Sequence, residues 1–326
     1  MHKALSYREE DGENMATFIV SLCAMLALTT CSGLICRKLQ LPEVIGQILV
    51  GIVCGPALLN VLHSSDYISL FSDLGIIILM FLGGVGCDLQ LLKKYSKAAI
   101  IIACMGVVFP VVVMGGVSLA FGFEPIPAAF FVGAVVVIVW IAPALMTLAG
   151  VLKAPSGIAV MAVIICLAMA WASDLAGLSY AVGAFFAGIA VSNSDYAEET
   201  DRYIEPVGDT LFVPVFFVGI GLNTTAVDDS RMIVFIVIMT ILGVITKIVG
   251  CGLGGAMAGF GAASSVMIGA GMVPRGEMAL ITAQIGFNEH VLGNEYYSTI
   301  IFIISLVTLV APLLLKLTIK RIPAQA

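Results

Sequence analysis

The chain has 326 residues, of which 60% are hydrophobic and only 11% are charged, against the ~25% charged residues of an ordinary soluble domain. That balance excludes a water-soluble fold of this length and leaves too few basic side chains for a nucleic-acid surface. The formal net charge of -6 names no partner, because in a lipid-embedded chain the placement of basic residues carries more information than their sum.

Residues 1–14 form a polar tail without the apolar stretch that a signal peptide needs. Eleven apolar runs follow, each about as long as a hydrocarbon core is thick: 15–36, 43–62, 68–87, 98–121, 127–152, 156–173, 178–193, 206–223, 232–258, 263–287 and 297–317. The expectation is an all-α polytopic membrane protein, a single transmembrane domain over residues 1–326 in an inner or plasma membrane. The stretch 195–205 is its one long charged connection. Arg37, Lys38, Lys93, Lys94, Lys97, Lys153, Arg202, Lys316, Lys320 and Arg321 fall on one side of the alternating spans, and only Lys3, Arg8 and Arg231 on the other. Basic residues are retained on the cytoplasmic side, so the N-terminus is expected outside and the C-terminus in the cytoplasm. Lys247 and Arg275 belong to neither set, because they lie inside apolar spans.

The eight cysteines sit in or beside apolar runs with no C-x-x-C spacing. They read as small packing residues, with no metal site, no cofactor and no enzymatic centre expected. His2, His63 and His290 fall in the tail or in short connections.

The spans repeat. Gly46-Gln-Ile-Leu-Val-Gly51-Ile52 in the second is matched by Gly183-Ala-Phe-Phe-Ala-Gly188-Ile189 in the seventh. Gly84-Val-Gly86 closes the third as Gly219-Ile-Gly221 closes the eighth, and Gly133-Ala134 in the fifth pairs with Gly269-Ala270 in the tenth. Five spans separate the members of each pair, so the copies cross the membrane in opposite directions. Residues 15–152 read as a first, incomplete repeat, 153–318 as the second, and 319–326 as a cytoplasmic tail. Such inverted repeats mark secondary transporters, whose substrates bind near the midplane where helices are broken.

A break of that kind is written into the tenth span as Gly269-Ala-Gly271-Met-Val-Pro274-Arg275-Gly276-Glu277. Proline lacks the N–H that continues a helix and its ring clashes with the preceding turn. Gly271, Pro274 and Gly276 therefore shape an interruption whose half-helix ends can hold a cation, with Arg275 and Glu277 at the same place. Lys247 is deep in the ninth span, where insertion of a charge costs about 2.5–3.5 kcal/mol and marks a pathway residue more often than a structural one. Lys247, Arg275 and Glu277 are the candidate ion and proton pathway.

Leu41-Pro42-Glu43-Val44-Ile45-Gly46-Gln47, Leu79-Met80-Phe81-Leu82, the Pro214-to-Leu222 string, Thr246-Lys247 and Pro274-Arg275-Gly276-Glu277 occur in the order of one family. The chain resembles the second monovalent cation:proton antiporter family, the Kef-type and related sodium/proton exchangers. That resemblance implies a thirteen-helix fold, a homodimer in the lipid bilayer, and Na⁺ or K⁺ competing with protons for an aspartate partnered by a core lysine, which Lys247 matches. The aspartate is where this sequence departs. After Gly133-Ala134 it runs directly into Trp140-Ile-Ala-Pro143, and no acidic residue occurs between Glu124 and Asp174. Two crossings are missing, including the carboxylate-bearing helix, and Glu277, Asp88 and Asp174 are the remaining candidate acids. Three readings follow: monovalent cation:proton exchange; an internally deleted homologue that does not transport; and a related inverted-repeat organic-anion symporter in which Arg275 meets the anion.

Overall fold

A computed structural model of the chain describes residues 2–87, 157–175, 179–225, 229–273, 276–288 and 292–319. The expected spans 98–121 and 127–152, and Asp88, lie outside them. Every regular element among the described residues is helical. Six helical stretches among them are long and apolar enough to cross a membrane, and the chain is an integral multi-pass membrane protein.

Helix α1, His2–Lys38, takes in the polar opening segment and the first apolar run without interruption. Two of its threonines bond back inside the helix: Thr29 Oγ1 donates to Met25 O at 2.8 Å and Thr30 Oγ1 to Leu26 O at 2.7 Å, which lets a hydroxyl sit in apolar surroundings. The helix ends at a left-handed Gln40, φ 58°. Arg37 then pairs with Glu43, the first residue of α2.

Helix α2, Glu43–Cys54, stops eight residues short of the expected span. Pro56 cannot donate a helical hydrogen bond, and the chain folds back over 55–62. Asn60 N bonds Gly55 O at 2.8 Å and Leu62 N bonds Cys54 O at 2.8 Å, with Asn60 left-handed at φ 53°. Helix α3, Asp66–Val85, restarts behind Ser65, whose Oγ accepts from Ile68 N at 3.3 Å.

Helix α4 is Gly157–Leu175 and α5 is Tyr180–Ser192, capped by Ser179. The charged connection at 195–205 is mostly helix: α6, Ala197–Val207, carries Glu198 and Glu199 in its first turn, where carboxylates oppose the helix dipole, and buries Thr200 and Ile204. A π-turn, Gly208–Phe212, leads into α7, Val213–Leu222. The wider turn falls between Pro206 and Pro214, neither of which can supply a backbone donor.

Apart from residues 33–38 of α1 and 43–46 of α2, these elements belong to the first of two compact units, made of Met1–Ser32, Gln47–Leu89 and Ala129–Leu222. Within it α3 packs against α5 and α7, and every residue of α7 is buried. Two glycine-on-glycine crossings set the spacing. A Cβ added to Gly51 would lie 2.8 Å from the Gly221 Cα, and one on Gly221 2.7 Å from the Gly51 Cα. The same holds between Gly84 and Gly188, at 2.9 Å and 2.8 Å. Lipid is as apolar as leucine, so helix association there comes from van der Waals contact, and small residues give the closest approach.

The second unit comprises Gly33–Gly46, Gln90–Ala128 and Asn223–Ala326. Helix α8, Ser230–Met257, starts behind Asp229, whose Oδ1 accepts from Arg231 N at 2.9 Å. It exposes Ile233, Val237, Ile241, Ile245 and Val249, a stripe suited to lipid. A turn through Gly259, φ 92°, returns the chain into α9, Ala262–Gly271. Helix α10 is Gly276–Asn288 and α11 is Asn294–Ile319. Phe235, Ile236 and Met239 of α8 share a buried cluster with Val273 and with Ile303, Val307 and Ala311 of α11.

Candidate functional site

The tenth apolar run is two helices, as its proline and glycines predict. Helix α9 ends at Gly271 and α10 begins at Gly276. The end of α9 is closed by its own backbone: Met272 N donates to Ile268 O at 3.1 Å and to Gly269 O at 3.2 Å, and Val273 N to Ala270 O at 3.2 Å. Val273 is fully buried in the cluster with α8 and α11, so the interruption is anchored by an apolar side chain.

Gly269 places this interruption against α8. A Cβ there would collide with the Ile248 carbonyl and lie 3.0 Å from the Ile248 Cα. Any larger residue would hold the helices apart, and Ile248 is the neighbour of Lys247. The glycine seam continues away from the break, where a Cβ on Gly255 would lie 3.3 Å from the Ser265 Cα. Lys247 is itself half-buried, and Thr246 beside it is buried with its hydroxyl turned back to Leu242 O at 2.7 Å.

The structure therefore brings the helical turn of Lys247 together with the last turn of α9, two residues before Gly271. Gly276 and Glu277 are the first two residues of α10, so Glu277 stands in the first turn, where the helix dipole favours a carboxylate. Pro274 and Arg275 lie outside the described residues. No group of three or more His, Cys, Asp or Glu side chains is placed to hold a metal among the described residues. Chemically, the arrangement offers a helix C-terminus carrying partial negative charge and a basic side chain one residue from its contact, and the next helix starts with a carboxylate in its sequence at Glu277.

A second polar group was not among the sequence-based candidates. Gln284 on α10 donates Nε2 to Asn288 Oδ1 at 2.9 Å and accepts from the hydroxyl of Tyr297 on α11, and Ser298 binds the Thr225 backbone N–H at 2.9 Å. Uncharged amides and hydroxyls raise no charge signal in a hydropathy reading. The one available clue was spacing, since Gln284 follows Glu277 by seven residues, two helical turns on the same face.

The sequence matches the family described as "Sodium/hydrogen exchanger, transmembrane" in two overlapping stretches, 24–158 and 128–321. It is 34% identical to a Na⁺/H⁺ antiporter of Enterococcus hirae, with 94% of this chain and 99% of that protein covered. It is 31% identical to the Na⁺/H⁺-K⁺ antiporter GerN of Bacillus cereus, with 92% and 96% covered. In fold it is similar to the sodium proton antiporter MjNhaP1 of Methanocaldococcus jannaschii, at a TM-score of 0.63 and 16% identity, covering 94% of this chain and 99% of that one. The alignment to the Enterococcus hirae protein runs over 380 positions but takes in 94% of 326 residues, about 306, so about 74 aligned positions have no residue here. The alignment to GerN runs over 373 positions against 92% of the chain, about 300 residues, which leaves about 73. On this evidence the chain belongs to the transmembrane sodium/hydrogen exchanger family of monovalent cation:proton antiporters.

Proposed function

We propose that the chain exchanges a monovalent cation, Na⁺ or K⁺, for protons at the α9–α10 break. The observation that carries this reading is the seat of Gly269 on the Ile248 backbone, which fixes an interrupted helix next to the turn of Lys247. The Glu277 carboxylate takes the proton or the cation in turn. Lys247 supplies the fixed positive charge that makes the two occupants exclusive, Arg275 biases Glu277 toward its ionised form, and Gly271, Pro274 and Gly276 keep the helix ends open. The names of the relatives support the class of cargo, and GerN's name includes both cations. Proton-flux fluorescence in everted vesicles tests the reading: Na⁺ or K⁺ should release the quench in the native chain and fail to do so in Lys247→Ala or Glu277→Gln.

The two glycine crossings support an inverted repeat. Gly51 and Gly188 are equivalent positions of the two sequence copies, and Gly84 and Gly221 lie in matching strings. Each copy's second helix thus rests on the other copy's closing glycine helix. The charge pattern supports an outside N-terminus and a cytoplasmic C-terminus, testable by thiol labelling at each end. The resemblance supports a homodimer, testable by mass measurement in lipid nanodiscs.

A second reading is favoured by a specific observation. About 74 positions are skipped against the Enterococcus hirae relative, the two family matches overlap at 128–158, and no acidic residue lies between Glu124 and Asp174. In that reading the helix that carries the ion-binding aspartate is deleted and the chain keeps the scaffold without transport. Absence of any cation-evoked proton flux in the native chain, with flux restored when a relative's segment is inserted between Ala134 and Trp140, would decide for it.

A further inference from the structure

Helix α10 carries three polar positions on from the break, with the buried Leu280 and Ile281 between the first two. From Glu277, Gln284 lies seven residues along and Asn288 four more, spacings that keep the three positions on one helical face. The far end of this set is tied down. Gln284 is 4% exposed and uses both ends of its amide, one on the exposed Asn288 and one on the fully buried Tyr297. The Tyr297 ring lies against Phe287, with centroids 4.4 Å apart. Ser298 follows, accepting from Thr225 N at 2.9 Å, lying 3.0 Å from Thr225 Oγ1 and donating to Asn294 O at 2.9 Å.

Among the described residues this corner thus sets amides and hydroxyls beside the apolar Phe287 and Leu292, where apolar residues alone would serve a mere brace. Each such group is costly to bury until its hydrogen bonds offset the loss of water. What uncharged oxygens add is the capacity to stand in for the water around a monovalent cation. A seal made of side-chain hydrogen bonds can also open without breaking a helix.

We propose that the α10–α11 corner is the cation's access gate. The Tyr297–Gln284–Asn288 chain closes it in this conformation. When the Tyr297 hydroxyl lets go, the Gln284 and Ser298 oxygens receive the partly dehydrated ion and pass it along α10 toward the break. The identity of the ion rests on the exchange reading above; the gate itself does not.

The test uses the chain with its eight cysteines replaced and a single Leu280→Cys reporter. Leu280 is 2% exposed and one turn before Gln284 on α10. Tyr297→Phe keeps the ring stack and removes the donor, and Asn288→Ala removes the acceptor at the exposed end. Each should raise labelling by a membrane-impermeant thiol reagent at least tenfold from one membrane face, and Na⁺ or K⁺ should slow it where choline does not. An unchanged rate in both variants, an equal rise from both faces, or a matching rise at an Ile304→Cys control on α11 overturns the gate. A one-sided rise that neither cation slows overturns the cation assignment. Amide hydrogen exchange on the chain with native cysteines is the second measurement. Both variants should speed exchange over 281–288, and no change there overturns the proposal. Labelling reads opening without transport, so a native chain without proton flux sinks the exchange reading and leaves the gate standing.

Discussion

Gly83 and Gly84 are neighbours in α3 with opposite surroundings. A Cβ on Gly83 meets nothing within 4 Å, while one on Gly84 runs into the Phe185 carbonyl and lies 2.9 Å from the Gly188 Cα. Gly83→Ala should stabilise the chain by about 0.5–1 kcal/mol, the usual gain in a helix interior. Gly84→Ala should cost about 1–3 kcal/mol as an overpacked contact. Melting of the two purified variants in detergent against the native chain checks both signs at once. Residue chemistry also separates Lys247 from the surface lysines. Lys316 reaches Gln40 at 3.5 Å on an exposed rim, whereas Lys247 is half-buried within an apolar span. Lys316→Ala should leave cation-evoked proton flux within about twofold, and Lys247→Ala should abolish it while melting within a few degrees of native.

At the scale of elements, the interruption between α9 and α10 was legible because Pro274 and its glycines act locally. The early stop of α2 was equally local, in Gly55-Pro56, yet the apolar run to Leu62 outweighed it in a reading by hydropathy. Composition measures solvent preference and says nothing of a missing N–H. The helix at α6 was hidden the other way, because its charges read as a loop while Thr200 and Ile204 are buried beneath it. Tertiary pairing was beyond the strings themselves. Gly51 and Gly221 are visible as repeat glycines, but that they meet each other depends on how the helices cross. The α8–α9 hairpin gives a prediction at this scale. Gly259 sits at φ 92° with open space around a Cβ, so Gly259→Ala should cost about 1–2 kcal/mol from backbone strain alone. Gly261→Ala, also in open space but at φ -62°, should be near neutral, as thermal unfolding would register.

For the whole molecule, similarity along nearly all of the chain sits beside an alignment with about 74 positions skipped. The sequence carries a matching feature, since after Gly133-Ala134 it passes to Trp140-Ile-Ala-Pro143 and no acidic residue occurs before Asp174. The architecture is that of a cation:proton exchanger, and the proposed exchange rests on Glu277 and Lys247. That assignment has a direct test. Proteoliposomes of the native chain, loaded with a pH-sensitive dye, are challenged with Na⁺ and then K⁺ alongside Lys247→Ala and Glu277→Gln. The account predicts cation-evoked proton movement in the native chain and none in either variant. No response to either cation in a folded native chain, or a response that survives loss of Glu277, contradicts it.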